Sequence, residues 1–168
     1  WTRFLAGTAI VAAAVVLLGL GFAPQRTWPN ILLVGMYTVG LGMSGLLFLA
    51  FHYLTTAGWN VCLKRIAEAM AMTLPVGALL IFACLGGISV LYEWSHPDVV
   101  AASALLQKKT SWLNVPFFAG RMVFYLAVWM LFCRALVSTS RRQDETGGLA
   151  AQRRSTALSA GFMAVFAV

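Results

Sequence analysis

Long apolar blocks run through the 168-residue chain, and they constrain its fold more than any other feature. A block of about 20 apolar residues can cross a hydrocarbon core of roughly 30 Å. Because backbone groups in lipid must satisfy their own hydrogen bonds, only helices or closed barrels can span it. Barrel strands would alternate apolar and polar residues, and these blocks do not alternate. The sequence therefore predicts an all-α, polytopic transmembrane helix bundle in a single domain.

The boundaries of the apolar blocks predict about five membrane-spanning segments. A short amphipathic stretch at about 59–71 predicts an interfacial helix before the third segment. The chain begins at Trp1 rather than Met and ends at Val168 within an apolar block, so we expect it to be part of a longer protein. The five predicted segments cover about residues 4–23, 30–54, 72–91, 112–137 and 157–168.

The charged residues indicate orientation rather than a nucleic-acid partner. The net charge is +7, but its basic residues lie between the apolar blocks, where Lys and Arg set membrane topology. One set of alternate connections is the more basic, and we assign it to the cytoplasm. We therefore expect a bacterial inner-membrane protein with its N-terminus and loop 138–156 cytoplasmic and loop 92–111 outside. The two sets are Arg3, Lys64, Arg65, Arg141, Arg142, Arg153 and Arg154 against Arg26, Lys108 and Lys109.

The three cysteines, Cys62, Cys84 and Cys133, are widely separated and lie in or beside apolar blocks. Their spacing fits no zinc, iron–sulfur or covalent haem motif. We expect buried structural thiols. Phosphate-loop, hydrolase and nucleotide-binding motifs are also absent from the sequence.

His52 lies on a predicted face of small residues in the second block. Gly35, Thr38, Gly42, Gly45 and His52 are three, four, three and seven residues apart, which places them on one side of a helix. Small residues let helices approach closely, so this face should point into the bundle. His52 is then a candidate proton carrier or quinone contact, or a histidine hydrogen-bonded between helices for packing.

Two charged residues near the predicted membrane boundaries are further candidates. Glu68 can take protons from the cytoplasm, or it can form a salt bridge with Lys64 or Arg65 at helical spacing. Arg121 lies roughly 10 Å into the fourth block at 1.5 Å rise per residue. It can pair with a buried carboxylate, stack on Tyr125, or extend to the outer interface.

Glu93, His96 and Asp98 cluster in the polar loop 92–111. Two carboxylates and one histidine form only a weak metal-like pattern, and we predict no metal. A proton exit or a contact surface for a partner fits the cluster better, and an ordinary solvated turn is the alternative. We also expect Ser95 or Asp98 to cap a short helix over residues 99–106.

Beyond these residues, the chain resembles a known family. The motif YEWSHP…LLQKK…LNVPFF, with GWNVCLKRIAEAM, RRQDETG and TALSAGFMAVFAV, resembles the ActF-type membrane subunit of bacterial alternative complex III. That complex is a quinol:cytochrome c or auracyanin oxidoreductase. Its membrane subunit is related to the polysulfide-reductase (NrfD-like) subunits. The resemblance covers most of the chain from Gly58 onward.

The resemblance implies a subunit of about ten transmembrane helices, of which this chain would be about half. It implies partners: a homologous quinol-binding membrane subunit, iron–sulfur and haem c subunits, and lipids. Haem and iron–sulfur clusters would belong to those partners, whereas quinone or menaquinone is a candidate ligand here. A proton path would include Glu68, Glu93, His96, Asp98 and Arg121, to which helix geometry adds His52.

Two other functions fit the same sequence. The chain can be a structural membrane anchor whose polar residues serve only packing and docking. It can also be a secondary transporter, although that fold needs an internal repeat and broken helices at the midplane, and neither is evident here.

Overall fold

The structure, a computed structural model, describes residues 2–56, 61–146 and 149–167, and these residues are helical almost throughout. Two 3₁₀ turns, Cys84–Gly87 and Glu93–Ser95, interrupt the helical order. The α-helices are α1 (Thr2–Phe22), α2 (Pro24–Thr55), α3 (Val61–Ala71), α4 (Leu74–Ala83), α5 (Ile88–Leu91), α6 (Pro97–Ala102), α7 (Ala104–Lys108), α8 (Val115–Thr146) and α9 (Leu149–Phe166). No strand occurs among the described residues, and the all-α prediction is confirmed.

Four helical segments are long and apolar enough to cross a membrane, by length and composition. They indicate a membrane-embedded protein. The third of them joins α3, the kink after it, α4 and α5 into a single run. The four segments are Thr2–Phe22, Pro24–Thr55, Cys62–Leu91 and Val115–Asp144.

The observed helix ends differ from the ends of the predicted segments in two places. Ala23 alone separates α1 from α2, so residues 24–29, which lie between the first two predicted segments, are instead the start of α2. The fixed φ of proline suits the first helical turn, where its missing N–H costs nothing. At the other end of the chain, α9 begins at Leu149, so Arg153 and Arg154 lie inside this helix rather than in a loop.

The glycine face of α2 holds the bundle together, as its spacing predicts. A Cβ placed on Gly42 would lie 2.9 Å from Cβ of Leu74 in α4. One placed on Gly45 would lie 2.6 Å from the Ala67 carbonyl oxygen in α3. Only glycine lets the two backbones approach this closely. α3 therefore packs along α2; its placement at a membrane interface stays a prediction, and residues 59 and 60 of that stretch lie outside the described part of the chain.

α8 and α9 complete the core around α2. Leu46, Leu49, Leu74, Leu136 and Phe162 are each fully buried. The long helix α8 contacts α4 and α9 as well as α2. By contrast, α1 has no buried residue and packs mainly against α2. The core thus consists of α2, α3, α4, α8 and α9, with α1 beside it.

Aromatic side chains and short helices close one end of the bundle, here called the aromatic end. The rings of Tyr92 and Trp94 both contact Phe118, with centroids 5.4 and 5.3 Å away. Burial raises the pKa of the Tyr92 hydroxyl above its ordinary value, and charge on the Cys84 thiol raises it further.

The helix predicted over 99–106 divides into α6 and α7 at Ser103. Ser103 Oγ accepts from the Leu106 N–H at 3.5 Å, so Ser103 caps α7. The expected cap from Ser95 or Asp98 was wrong. Ser95 Oγ donates instead to the Tyr92 carbonyl at 2.6 Å, and α6 begins after His96 without a side-chain cap. The break arises because Ser103 is extended, with φ −118° and ψ 110°.

Candidate functional site

The opposite end of the bundle contains a buried polar cluster, here called the polar-end network. It joins side chains of α2, α3 and α8. Glu68 is 3% exposed, Lys64 7% and Ser140 0%. Polar groups with so little exposure must be paired to offset their desolvation. The network consists of Tyr53, Lys64, Arg65, Glu68, Ser140 and Asp144.

A continuous hydrogen-bonded chain runs through the centre of the network. The Tyr53 hydroxyl donates to Ser140 Oγ at 2.9 Å. Ser140 in turn donates to Glu68 Oε1 at 2.5 Å. Three helices thus contribute one proton-bearing group each to a single line of donors and acceptors.

Arg65 connects the two carboxylates of the network. Its Nη1 lies 2.8 Å from Glu68 Oε2, and its Nη2 lies 2.8 Å from Asp144 Oδ2. The pairing of Glu68 with Arg65 was one of the two predicted salt bridges. Lys64, the other predicted partner, binds Asp144 Oδ1 at 3.0 Å instead. One guanidinium therefore bridges the buried Glu68 and the partly exposed Asp144.

The sequence of α3 explains why these charges point inward. Lys64 and Glu68 are four residues apart and lie on one side of the helix, together with the small residues Ala67 and Ala71. The small side chains bring α3 close to α2, and the long polar ones reach α8. The apolar Ile66, at 58% exposed, lies on the outside.

A small polar cavity adjoins the network. It has a volume of about 140 Å³ and is lined by His52, Tyr53, Thr56, Gln143 and Gln152. The His52 ring meets the Tyr53 ring edge-on, with centroids 5.0 Å apart. Because the lining is polar and the space exceeds that of a single water molecule, the cavity can hold water beside the start of the hydrogen-bonded chain.

The six candidate residues from the sequence do not meet in one site. His52 and Glu68 lie at the polar end, and both adjoin Tyr53 or its chain. Glu93, His96 and Asp98 are exposed at the aromatic end, where His96 Nε2 lies 2.9 Å from the Ser89 carbonyl oxygen. In the described part of the chain, no group of three or more His, Cys, Asp or Glu residues is placed to hold a metal ion.

Arg121, the sixth candidate, lies among aromatic rings at the aromatic end. Its guanidinium carbon is 4.6 Å from the centroid of the Trp112 ring and 5.4 Å from that of Phe117. The predicted stacking on Tyr125 does not occur, because the side chain extends towards the start of α8. Nor does any carboxylate of the described residues form an ion pair with it.

Sequence reasoning missed Tyr53, Ser140 and Asp144. The last two were assigned to an aqueous loop, although α8 continues through them to Thr146. A helix predicted over 137–146 would have placed these residues on a buried face. Ser140 and Asp144 are four residues apart, and Val137 and Ser140 share one face. The prediction of buried thiols was right for Cys84 and Cys133 and wrong for Cys62, which is exposed.

A quinone would need an apolar cleft with a polar group for its carbonyl oxygen. The cleft between α4 and α8 has a volume of about 260 Å³, and no lining side chain offers an N–H or O–H donor. Its lining suits an isoprenoid or acyl chain rather than a quinone headgroup.

No protein-family model matches the chain, and no curated protein matches it.

Proposed function

We propose that this chain is a membrane subunit of a quinol:electron-acceptor oxidoreductase of the alternative complex III type, and that its polar-end network conducts protons. The sequence motifs from Gly58 onward support the family, and the four apolar segments support placement in a membrane. On this proposal the chain lies in the bacterial inner membrane. Its partners would carry the iron–sulfur clusters, the haem c groups and the quinol site.

The single observation that supports proton conduction is the buried chain from Tyr53 through Ser140 to Glu68. Ionisable groups inside membrane bundles commonly mark proton relays. A purely structural bridge would need only the ion pairs of Arg65 and Lys64. The additional line of hydroxyl groups connects the carboxylate to a polar cavity, which a proton path requires.

The transfer follows from the hydrogen bonds. An excess proton carried by water in the cavity, as hydronium, binds the Tyr53 hydroxyl oxygen as the Tyr53 proton moves to Ser140 Oγ, and the donor becomes neutral water. The Ser140 proton moves at the same time to Glu68 Oε1, so each hydroxyl receives one proton and loses one. Glu68 becomes neutral, and its ion pair with Arg65 weakens.

Arg65 provides a way for Glu68 to release the proton. When Glu68 is neutral, the guanidinium keeps its second contact, with Asp144 Oδ2. Movement of Arg65 towards Asp144 frees the protonated carboxyl group to rotate and give its proton to water on the exposed side of Arg65. Loss of the proton draws Arg65 back. The charge at the network thus follows the protonation of Glu68.

The test uses the intact complex in sealed vesicles, with quinol oxidation and proton movement measured together. Ser140→Ala removes the central hydroxyl of the chain, whereas Ser138→Ala removes an exposed hydroxyl two residues away that donates to the Ala135 carbonyl. We expect Ser140→Ala to keep quinol oxidation while fewer protons move per electron. Ser138→Ala should match the unmodified complex in both measurements.

A structural anchor is the alternative function, and the exposed helix α1 favours it, since a helix with no buried residue can dock to a partner. The same experiment separates the two functions. If Ser140→Ala and Glu68→Gln both leave the proton stoichiometry unchanged in an assembled, active complex, conduction through this network is refuted and the anchor function remains.

A further inference from the structure

A second site lies around Arg121 at the aromatic end of the bundle. An open groove of about 700 Å³ follows the first turns of α8, and its walls include the rings of Trp112, Phe117, Phe124 and Tyr125. All four rings are partly exposed, at 38 to 63%. Gly120 forms part of the floor, and a Cβ placed there would meet nothing within 4 Å. The groove is therefore apolar, aromatic and open to a ligand.

The guanidinium of Arg121 is incompletely satisfied in this groove. Its Nη1 is buried, and among the described residues no hydrogen-bond acceptor reaches it. The rings of Trp112 and Phe117 stabilise the positive charge but accept no strong hydrogen bond. A buried charged donor without an acceptor is costly, and Arg121 as a whole is only half-buried. An anionic oxygen on the accessible part of the guanidinium would offset the charge, so an anion from outside the chain would be favoured here.

The surrounding sequence strengthens the preference for an anion. Between residues 99 and 143 the chain contains no Asp or Glu, whereas Lys108 and Lys109 precede the groove. Lys109 is directly connected to its rim, because its carbonyl accepts the Trp112 N–H at 3.0 Å. A cationic, aromatic groove at the end of an apolar helix matches an amphiphile with a negative headgroup and apolar tails.

We propose that the groove around Arg121 binds an anionic phospholipid, with its phosphate on the guanidinium and an acyl chain along Phe124. Phosphate oxygens fit the guanidinium fork in a bidentate manner. The phosphate of phosphatidylcholine is balanced by its own choline cation, so a cationic groove favours a lipid with a net negative charge. The aromatic rings take the glycerol region, where Trp and Tyr are enriched at membrane interfaces. This site is separate from the polar-end network and does not depend on proton conduction.

The experiment titrates the full chain in detergent with phosphatidylglycerol or phosphatidylcholine and counts bound lipid by native mass spectrometry. Arg121→Gln removes the charge, and Gly120→Leu fills the groove without altering the charge. Arg134→Gln, which removes an exposed cation from the same helix, is the matched control. We expect Arg121→Gln to weaken phosphatidylglycerol binding about tenfold and Arg134→Gln to leave it unchanged.

Further measurements in the same titration identify the ligand. Phosphatidylcholine should bind more weakly than phosphatidylglycerol to the unmodified chain, and Gly120→Leu should weaken both. Inorganic phosphate at millimolar concentration should not displace the lipid. The proposal is overturned if the unmodified chain does not prefer the anionic lipid, if both groove variants bind it normally, or if free phosphate alone occupies the site. Circular dichroism of each variant separates lost binding from lost folding.

Discussion

Only 9% of the Lys64 side chain is exposed. The cost of burying its ammonium group therefore depends on the partner that binds it there. That partner is Asp144, near the end of α8. The Tyr53 ring adds a cation–π contact, with the Lys64 ammonium nitrogen 5.8 Å from the ring centroid. Removing the carboxylate would leave a desolvated ammonium without a counter-charge. Breaking such a pair is costly even where forming it contributes little net stability.

Asp144→Asn should therefore destabilise the chain by about 2 kcal/mol, since the exposure of Asp144 lowers the cost of a fully buried pair. The free energy of unfolding in mixed detergent measures the change. Asp98→Asn, which alters an exposed carboxylate at the other end, should change it little. Combining Asp144→Asn with Lys64→Met should restore part of the loss; a double variant less stable than Asp144→Asn would contradict this explanation.

Sequence alone predicted the local part of this network and missed the rest. The pair of Arg65 and Glu68 spans three residues of one helix, and helical spacing is enough to expect it. The contacts from Lys64 to Asp144 and from Tyr53 to Ser140 span 80 and 87 residues. They depend on how α2, α3 and α8 pack, which residue spacing within one helix cannot determine.

At the scale of helices, close packing of α2 against α3 determines the geometry of the network. Gly45 allows that approach, because a methyl group there would overlap the Ala67 carbonyl and the Ala71 backbone nitrogen, 2.6 and 2.7 Å away. Both atoms are backbone and cannot rotate aside. Moving α3 outward would also withdraw Glu68 from Ser140, so packing and the proposed proton path are coupled.

Gly45→Ala should destabilise the bundle by about 1–3 kcal/mol, the usual range for overpacking. The matched control is Gly40→Ala in the same helix, whose added Cβ would meet nothing within 4 Å. Alanine favours a helix over glycine, so the control should be neutral or slightly stabilising. Thermal unfolding in detergent compares the two variants. If both are equally stable, the close contact of Gly45 with α3 does not contribute to stability.

The helical character of the chain and its long apolar helices were predictable, whereas the short helices and the helix ends and caps were not. Block length and the glycine face predicted the central helices because lipid forces the backbone to bond within each segment. The cap at Ser103 was missed because a serine, unlike a proline, fits both a helix interior and a cap. The start of α2 was missed because residues 24–29 were left between the first two predicted segments, although Pro24 suits a first helical turn.

For the whole molecule, the two ends differ in chemistry and should face different compartments. The polar end holds the network and the basic residues Arg141 and Arg142, whereas the aromatic end holds the rings around Arg121. The excess of Lys and Arg favours a cytoplasmic polar end. A proton path that starts at His52 and Tyr53 would then take up protons from the cytoplasm.

This orientation is testable with a membrane-impermeant maleimide on intact cells. In a Cys62→Ser background, which removes the exposed native thiol, Asp98→Cys should react without permeabilisation, whereas Arg153→Cys should react only after it. Cys84 and Cys133 are buried and should remain unlabelled in both conditions. The reverse pattern would place the network on the outer side. Proton conduction would then have to release protons at Tyr53 rather than accept them, so the labelling result also determines the direction of the proposed path.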